Sequence, residues 1–180
     1  PSGSKDPFGL RRQANGIVKT IAEHRLPLKL DELMTDARAR YQGSDAEKKF
    51  SAGSGFQDAI RLFFRERLEF YLRDVHGFAY DVVNAVLAAD AQDVVDALAR
   101  AQAVAKVRPS SDFESISIAF KRMKNILRQA SEAGREVAPK VEASVLQDDA
   151  EKDLAAQAPR TAEQVETLRT ARKYDEALLE

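Results

Sequence analysis

The sequence has no cysteine and no tryptophan, and its 180 residues include only two histidines, His24 and His76. Without cysteine the chain forms neither a disulfide nor a thiolate metal site. Two histidines so far apart in sequence do not supply the clustered ligands of a zinc centre. We therefore predict no metal site and expect an intracellular, cytoplasmic protein.

Turn-forming residues are also few, with 8 Gly and 6 Pro. A sandwich or barrel needs more tight turns than these provide, and no run of four or more residues alternates between apolar and polar as a strand does. Long apolar runs are missing as well, since none approaches the roughly 18 to 20 residues of a membrane span. These absences predict an all-α, soluble protein with no membrane partner.

Neither sign of charge dominates, because 28 basic residues stand against 29 acidic ones and the formal net charge is -1. Such a chain does not hold nucleic acid through bulk positive charge, so any contact of this kind must be a local patch. The sequence also lacks the spacings of a P-loop, a G-x-G-x-x-G fingerprint, a G-x-S-x-G elbow and an H-E-x-x-H helix. We predict no catalytic residue in this chain.

Apolar residues recur at helical spacing from the start of the chain. Ser4 or Asp6 is suited to cap a first helix, which ends before Pro27 because the residue before a proline disfavours the helical conformation. A short second helix is predicted over 30–41. Residues 42–55 contain three Gly, three Ser and a run of charges, which predicts an exposed, mobile linker.

Three helices are predicted between 56 and 109. The first ends at His76 and Gly77, the second stops near Asp90, and Asp90 or Asp93 caps the third. The first also carries a stripe of aromatic and aliphatic residues at helical spacing that we assign to the core: Phe56, Ile60, Phe63, Phe64, Leu68, Tyr71 and Leu72.

The clearest helix signal is a capping box at Ser111 and Glu114, in which each side chain binds the other's backbone N–H. Further on, Pro159 predicts a kink or a fresh start, with the capping-box spacing repeated at Thr161 and Gln164. The helix that follows Ser111 is expected to turn its apolar residues inward, which would leave no aromatic ring free to stack on a nucleic-acid base: Phe113, Ile116, Ala119, Phe120, Met123, Ile126 and Leu127.

Basic residues concentrate on this sixth helix. Between 119 and 140, six Lys and Arg stand against two Glu. Lys121, Lys124 and Arg128 follow one another at spacings of three and four and so share one side of the helix. Such a row is able to follow a phosphate backbone, although charged rows without any ligand are common on solvated helices. The candidate nucleic-acid-binding residues are Lys121, Arg122, Lys124 and Arg128.

Three stretches carry a resemblance to a known family. Residues 4–12, S-K-D-P-F-G-L-R-R, resemble the S-K-D-P-F-A-L-R-R segment of the β subunit of bacterial glycyl-tRNA synthetases of the α2β2 type. Residues 67–87 resemble its R-L-x-x-Y-L-R and D-V-I-D-A-V-L region, with Asn84 where the family often has Asp. Residues 120–127 resemble its x-K-R-V-x-N-I-L. The chain would then be a C-terminal piece of a subunit several times longer, and the polar residues of the first motif are Lys5, Asp6, Arg11 and Arg12.

The resemblance implies a reaction that this piece does not itself perform. In the family, activation of glycine with ATP and Mg²⁺ and its transfer to tRNA(Gly) take place on the α subunit, while the β subunit binds and positions the tRNA. The implied partners are therefore tRNA(Gly) and the α subunit. We expect this chain to hold no cofactor of its own and to be inactive in aminoacylation by itself.

The resemblance also implies a domain organisation. Residues 1–41 would be the tail of an HD-like helical domain, 42–55 a linker, 56–109 a helical connecting region, and 110–180 the start of a DALR-type anticodon-binding domain. Together these parts would form an irregular multi-helix bundle. The chain would stop before the later helices of that bundle.

Two alternative functions remain open. An anticodon-binding domain of an arginyl-type synthetase would share the DALR bundle, but the motif at 4–12 argues against it. A non-catalytic helical scaffold that binds only protein would be favoured if the row at Lys121 were covered by other helices.

Overall fold

The computed structural model describes residues 6, 8–45, 47–48, 55–135 and 141–179. Within these residues the fold is all-α, as predicted, and contains no strand. An isolated backbone bridge joins Lys29 to Asp93. Part of the expected linker, residues 46 and 49–54, lies outside the described residues. The chain divides into two compact units, Pro1–Ala105 and Lys106–Glu180, which we describe separately.

The longer helices of the first unit lie close to their predicted positions. Helix α3 continues into one π-helical turn, Tyr71–Val75, and ends at His76 and Gly77, as predicted. Helix α5 reaches two residues into the second unit. The helices are α1 (Leu10–Glu23), α2 (Leu30–Ala39), α3 (Phe56–Phe70), α4 (Tyr80–Ala89) and α5 (Val94–Val107).

The core of the first unit lies where α3 and its π-helical turn pack on their neighbours α1, α2 and α4. Leu68 and Leu72 are fully buried there, together with Val18 of α1 and Val83 of α4. Val94, at the start of α5, joins the same cluster. The predicted core stripe of α3 is therefore confirmed at its C-terminal end.

The N-terminal half of α3 is more exposed than predicted. Phe56 and Phe63 are only half-buried. The guanidinium of Arg67 lies 5.2 Å from the ring centroid of Phe63, a cation–π contact that covers one face of the ring. Arg61 Nε donates a hydrogen bond of 2.9 Å to Asp31 Oδ1 of α2, which joins the two helices at their surface.

The Asp6 carboxylate accepts the first free N–H groups of α1, whose N-cap position is Gly9. Asp6 Oδ2 accepts hydrogen bonds from the backbone N–H groups of Arg11 and Arg12, at 3.2 and 3.4 Å. These N–H groups have no partner inside the helix, so the carboxylate satisfies donors that would otherwise be left to water. Of the two candidate caps, Ser4 lies outside the described residues and Asp6 is confirmed.

Side-chain caps also mark the starts of α5 and of the next helix. Of the two candidates for α5, the structure uses Asp93, whose Oδ1 accepts the N–H of Asp96 at 2.9 Å. The next helix is capped by Ser110, whose Oγ accepts the N–H of Phe113 at 3.2 Å. The predicted capping box at Ser111 is therefore wrong. Ser110 already has the extended backbone that a cap requires, which places Ser111 inside the helix.

The second unit is also helical. Its described elements are α6 (Ser111–Glu132), a 3₁₀ turn (Ala143–Val145), α7 (Asp149–Thr170) and α8 (Tyr174–Ala177). Helices α7 and α8 pack against each other. Lys106 Nζ donates to Asp175 Oδ2 at 2.6 Å and so connects the end of α5 to α8.

Helix α7 passes through Pro159 without interruption, so the predicted restart at Thr161 is wrong. The helix begins in a capping box that the sequence analysis overlooked. The Asp148 side chain accepts the backbone N–H of Glu151, and Glu151 Oε2 accepts the N–H of Asp148 at 3.3 Å. Pro159 follows about three turns later, where the loss of one backbone donor weakens an established helix without ending it.

The apolar face of α6, which was predicted to point inward, is exposed. Ala119 is exposed as well and Phe113 is half-buried. None of the described residues of α6, α7 and α8 is buried. The prediction was wrong because an apolar stripe shows that a helix requires a partner, not that one is in place. The exposed fractions are 57% for Ile116, 64% for Phe120, 55% for Met123, 63% for Ile126 and 52% for Leu127.

Candidate nucleic-acid interface

Helix α6 carries the candidate site in its second half. Its 22 residues extend for about 33 Å at 1.5 Å per residue. Ser110 fixes its start, and Gly134, with φ 66°, takes the left-handed conformation that follows many helix ends. The four candidate residues are all exposed: Lys121, Arg122, Lys124 and Arg128.

The helix brings three of these four bases together. At about 100° per residue, Lys121, Lys124 and Arg128 lie within about 60° of one another around the axis. Arg122 lies about 100° from Lys121 and therefore on the other flank of the helix. The site is a row of three cations with a fourth that is separate from it.

The charges of this row are only weakly engaged within the protein. Lys121 and Lys124 have no carboxylate partner among the described residues. Arg128 Nη1 donates to Glu132 Oε1 at 2.8 Å, and both side chains are 61% exposed. An exposed pair at this spacing contributes no more than about 0.5 kcal/mol, so a phosphate is able to replace Glu132 as the partner of Arg128.

An aromatic ring also lies beside the row. Phe120 directly precedes Lys121 and is exposed. The expectation that no ring is free for stacking is therefore wrong for Phe120, because it is not part of a core. The periodicity of α6 identified this residue correctly as a member of an apolar face but carried no signal about whether that face is covered.

The family motif at 4–12 has a structural role at the start of α1. Lys5 lies outside the described residues. Asp6 binds the backbone N–H groups of Arg11 and Arg12, whose side chains are exposed. The structure thus accounts for Asp6 by helix capping and leaves the two guanidinium groups accessible.

The described residues contain no group of three or more His, Cys, Asp or Glu side chains placed to hold a metal ion. In the part of the chain that the structure describes, no helix is both long enough and apolar enough to cross a membrane.

Comparison with known proteins decides the family. Residues 1–88 match the family model described as "Glycyl-tRNA synthetase beta subunit". The chain is also 48% identical, over 182 residues, to the glycine–tRNA ligase beta subunit of Acidobacterium capsulatum, with 99% of this chain aligned. The chain belongs to the glycyl-tRNA synthetase β-subunit family. Two further members are the glycine–tRNA ligase beta subunits of Anaeromyxobacter sp. (strain K), at 37% identity over 98% of this chain, and of Magnetococcus marinus, at 32% over 99%.

These β subunits are much longer than the chain. The aligned part makes up 25% of the Acidobacterium protein, 24% of the Anaeromyxobacter protein and 25% of the Magnetococcus protein. The chain therefore spans about a quarter of the length of the relatives it matches. The family model ends within α4, whereas the alignments with these glycyl-tRNA synthetase β subunits extend over nearly the whole chain.

Proposed function

We propose that the chain is part of the β subunit of a cytoplasmic glycine–tRNA ligase and contributes tRNA binding and positioning. In this proposal the α subunit charges tRNA(Gly) in an ATP- and Mg²⁺-dependent reaction, and the present chain supplies no catalytic residue. The observation that carries the proposal is the exposed row of Lys121, Lys124 and Arg128 on α6, in a chain of this family.

The physical argument starts from the phosphate backbone. Each Lys or Arg that neutralises a phosphate releases condensed counterions, which favours binding and makes it dependent on salt. The row extends for about 10 Å along the helix, because Arg128 lies seven positions after Lys121. With a net charge of -1 the rest of the chain offers no general attraction, so the contact would be confined to this flank.

The domain organisation implied by the resemblance predicts which part of the tRNA the row would contact. If 110–180 begins a DALR-type anticodon-binding domain, α6 is its first helix and the row lies against the anticodon arm. Residues 1–41 and 56–109 would then be the HD-like tail and the connecting region. Contacts of Lys121, Lys124 and Arg128 with phosphates would position the tRNA without reading its bases.

The test uses the full-length β subunit together with the α subunit. Replacing Lys124 and Arg128 by Ala should weaken tRNA binding and make its salt dependence shallower, by about one unit of log–log slope for each lost contact. In aminoacylation assays the KM for tRNA(Gly) should rise with little change in kcat, because the glycine-activating site is untouched. Binding is measured by fluorescence titration at several salt concentrations.

A matched control removes the same two charges from another exposed helix of the same unit. Lys152→Ala with Arg169→Ala on α7 also deletes one Lys and one Arg, and both lie in ion pairs, with Asp149 and Glu166. This control should leave the salt slope unchanged. The proposal fails if the Lys124/Arg128 variant keeps both its affinity and its slope while circular dichroism shows an intact fold.

A further inference from the structure

The two arginines of the motif at 4–12 present unpaired charges on α1. Arg11 and Arg12 are exposed, and neither side chain forms an ion pair with a described residue. Only their backbone N–H groups are engaged, by the Asp6 carboxylate. Helix α1 itself carries no acid before Glu23, its last residue. Its exposed side therefore presents positive charge with little compensation along most of its length.

Lys19 continues this charge along the helix. It lies seven positions after Arg12, which places the two residues about 10 Å apart along the axis and about 20° apart around it. Lys19 Nζ is 3.6 Å from Glu23 Oε1, and both side chains are more than half exposed. An exposed pair of this kind is weak, so Lys19 is available to a phosphate. Arg12 and Lys19 thus form a short row that is able to follow an RNA backbone.

A cleft opens beside Lys19, between α1 and the end of α3. It has a volume of about 180 Å³ and is lined by Asn15, Gly16, Lys19, Phe70, Tyr71 and Val75. Phe70 is 42% and Val75 is 56% exposed, so the apolar wall is open to solvent. A Cβ atom on Gly16 would meet nothing within 4 Å apart from the helix's own backbone. Apolar and aromatic walls around an open space of this size suit a planar ring.

Two polar side chains of the cleft lack a hydrogen-bond partner among the described residues. Asn15 Oδ1 is shielded from solvent and accepts no hydrogen bond. Because the amide holds no hydrogen bond, it can turn about its last side-chain torsion into the cleft without losing one. The Tyr71 hydroxyl is also without a partner in the described chain, and burial raises the pKa of Tyr71, so the hydroxyl stays protonated and able to donate. A purely apolar ligand would leave both groups unpaired.

We propose that this side of α1 binds an unpaired stretch of RNA, with one base in the cleft and neighbouring phosphates on Arg12 and Lys19. Rings that stack on a base and cations that neutralise the backbone are the two components of single-strand recognition. A base inside a duplex is stacked between its neighbours and does not enter such a cleft, so the site selects single strands. This inference concerns the first unit and does not rest on the proposed role of α6.

The test compares three RNA hairpins, each titrated into the full chain. One has a single-stranded 3′ tail of four adenosines, the second has an abasic tail of the same length, and the third is blunt. The adenosine tail should bind at least about fivefold more tightly than the abasic tail, because stacking of one base on an aromatic side chain contributes at least that factor. The backbone amide of Gly16 should show its largest NMR shift with the adenosine tail.

A pair of leucine variants tests the cleft. Gly16→Leu fills it and should abolish the preference for the adenosine tail over the abasic tail. The matched control is Gln13→Leu, which adds the same side chain at an exposed position of α1 that does not line the cleft. This control should keep the preference. Circular dichroism shows whether α1 is intact in both variants.

A second pair tests the charges. Arg12→Gln combined with Lys19→Gln should weaken binding of both tails and make the salt dependence shallower, by about 0.7 units of log–log slope for each lost contact with a single strand. Arg38→Gln combined with Arg40→Gln removes two exposed bases at the end of α2 and should leave the slope unchanged.

Two results overturn the proposal. One is an adenosine tail that binds no more tightly than the abasic tail. The other is a Gly16→Leu chain that keeps the preference while its helix content is unchanged. Replacing Lys124 and Arg128 by Ala should leave the preference for the adenosine tail as it is, so this proposal and the proposed role of α6 are tested separately.

Discussion

At the start of α1, one backbone angle determines which residue is tolerated at position 9. Gly9 is the N-cap and has φ 67° and ψ 18°, in the left-handed region. A Cβ atom there would meet only Gln13 Nε2, at 4.0 Å, so space is not the constraint. The constraint is the strain of about 1 to 2 kcal/mol that an L side chain incurs in this conformation.

Gly9→Ala should therefore lower the free energy of unfolding by about 1 kcal/mol. The matched control is Gly16→Ala in the middle of the same helix, where the added Cβ would meet nothing within 4 Å apart from the helix's own backbone. That change should raise the free energy of unfolding by about 0.5 to 1 kcal/mol, because alanine favours the helix interior over glycine. Urea denaturation followed by circular dichroism measures the free energy of unfolding of the two variants. If both variants shift it in the same direction, backbone strain at Gly9 is not the deciding factor.

The ion pair between Lys106 and Asp175 predicts a pH dependence in the second unit. The hydrogen bond from the Lys106 ammonium, together with its charge, holds the pKa of the Asp175 carboxyl below its ordinary value. A group whose pKa is lowered by folding stabilises the fold above the ordinary pKa, and this contribution is lost as the pH falls through the lowered one. We expect the pair to hold α8 at neutral pH and to release it in acid.

Carbon-detected NMR titration of the Asp175 carboxyl measures this effect. Lys106→Gln should return the pKa of Asp175 towards its ordinary value, and high salt should reduce the shift in the unmutated chain because the pair is exposed. An Asp175 titration that is identical with and without the Lys106 charge would show that the pair is not formed in solution.

Helix α3 shows how much the buried face of a single helix contributes to the free energy of unfolding. Leu68 is fully buried and Leu62, on the same helix, is 55% exposed. Leu68→Ala should lower the free energy of unfolding by about 2 to 5 kcal/mol, because it removes buried surface and leaves a cavity. Leu62→Ala should change it by less than about 0.5 kcal/mol. Guanidinium denaturation measures the free energy of unfolding of both variants. Equal losses would show that α3 packs through a different face.

Helix ends were predictable where a side chain or a backbone conformation decides them locally. Asp6 caps α1 because its carboxylate reaches donors within six residues, and Gly77 ends α3 with φ 72°. Ser110 and Ser111 are two adjacent candidates of equal chemistry, and only the backbone conformation separates them. The fresh start predicted after Pro159 was wrong because a restart competes with a helix that is already formed.

Part of the candidate site was also predictable, because local spacing along the helix determines it. The common flank of Lys121, Lys124 and Arg128 follows from the helical period alone, and so does the pairing of Arg128 with Glu132 one turn later. The exposure of Phe120 does not follow from the period. Burial depends on which other segment is present to cover a face, and this is a property of the tertiary arrangement that no local pattern specifies.

The two units differ in how much of their surface is buried. In the described chain the hydrophobic cluster is formed by residues of α1 to α5 and the π-helical turn, and its fully buried large side chains include Val18, Leu68, Leu72 and Val94. The described parts of α6, α7 and α8 contain no buried residue. Because burial of apolar surface is the main favourable contribution to folding, the first unit should be much the more stable.

Hydrogen exchange of the full chain should resolve this difference. Amides of α3 and α4 are expected to exchange only when the first unit unfolds, whereas those of α6 and α7 should exchange through local openings that cost several kcal/mol less. Equal protection in α3 and α6 would contradict this expectation and would mean that the apolar face of α6 is packed as thoroughly as the core.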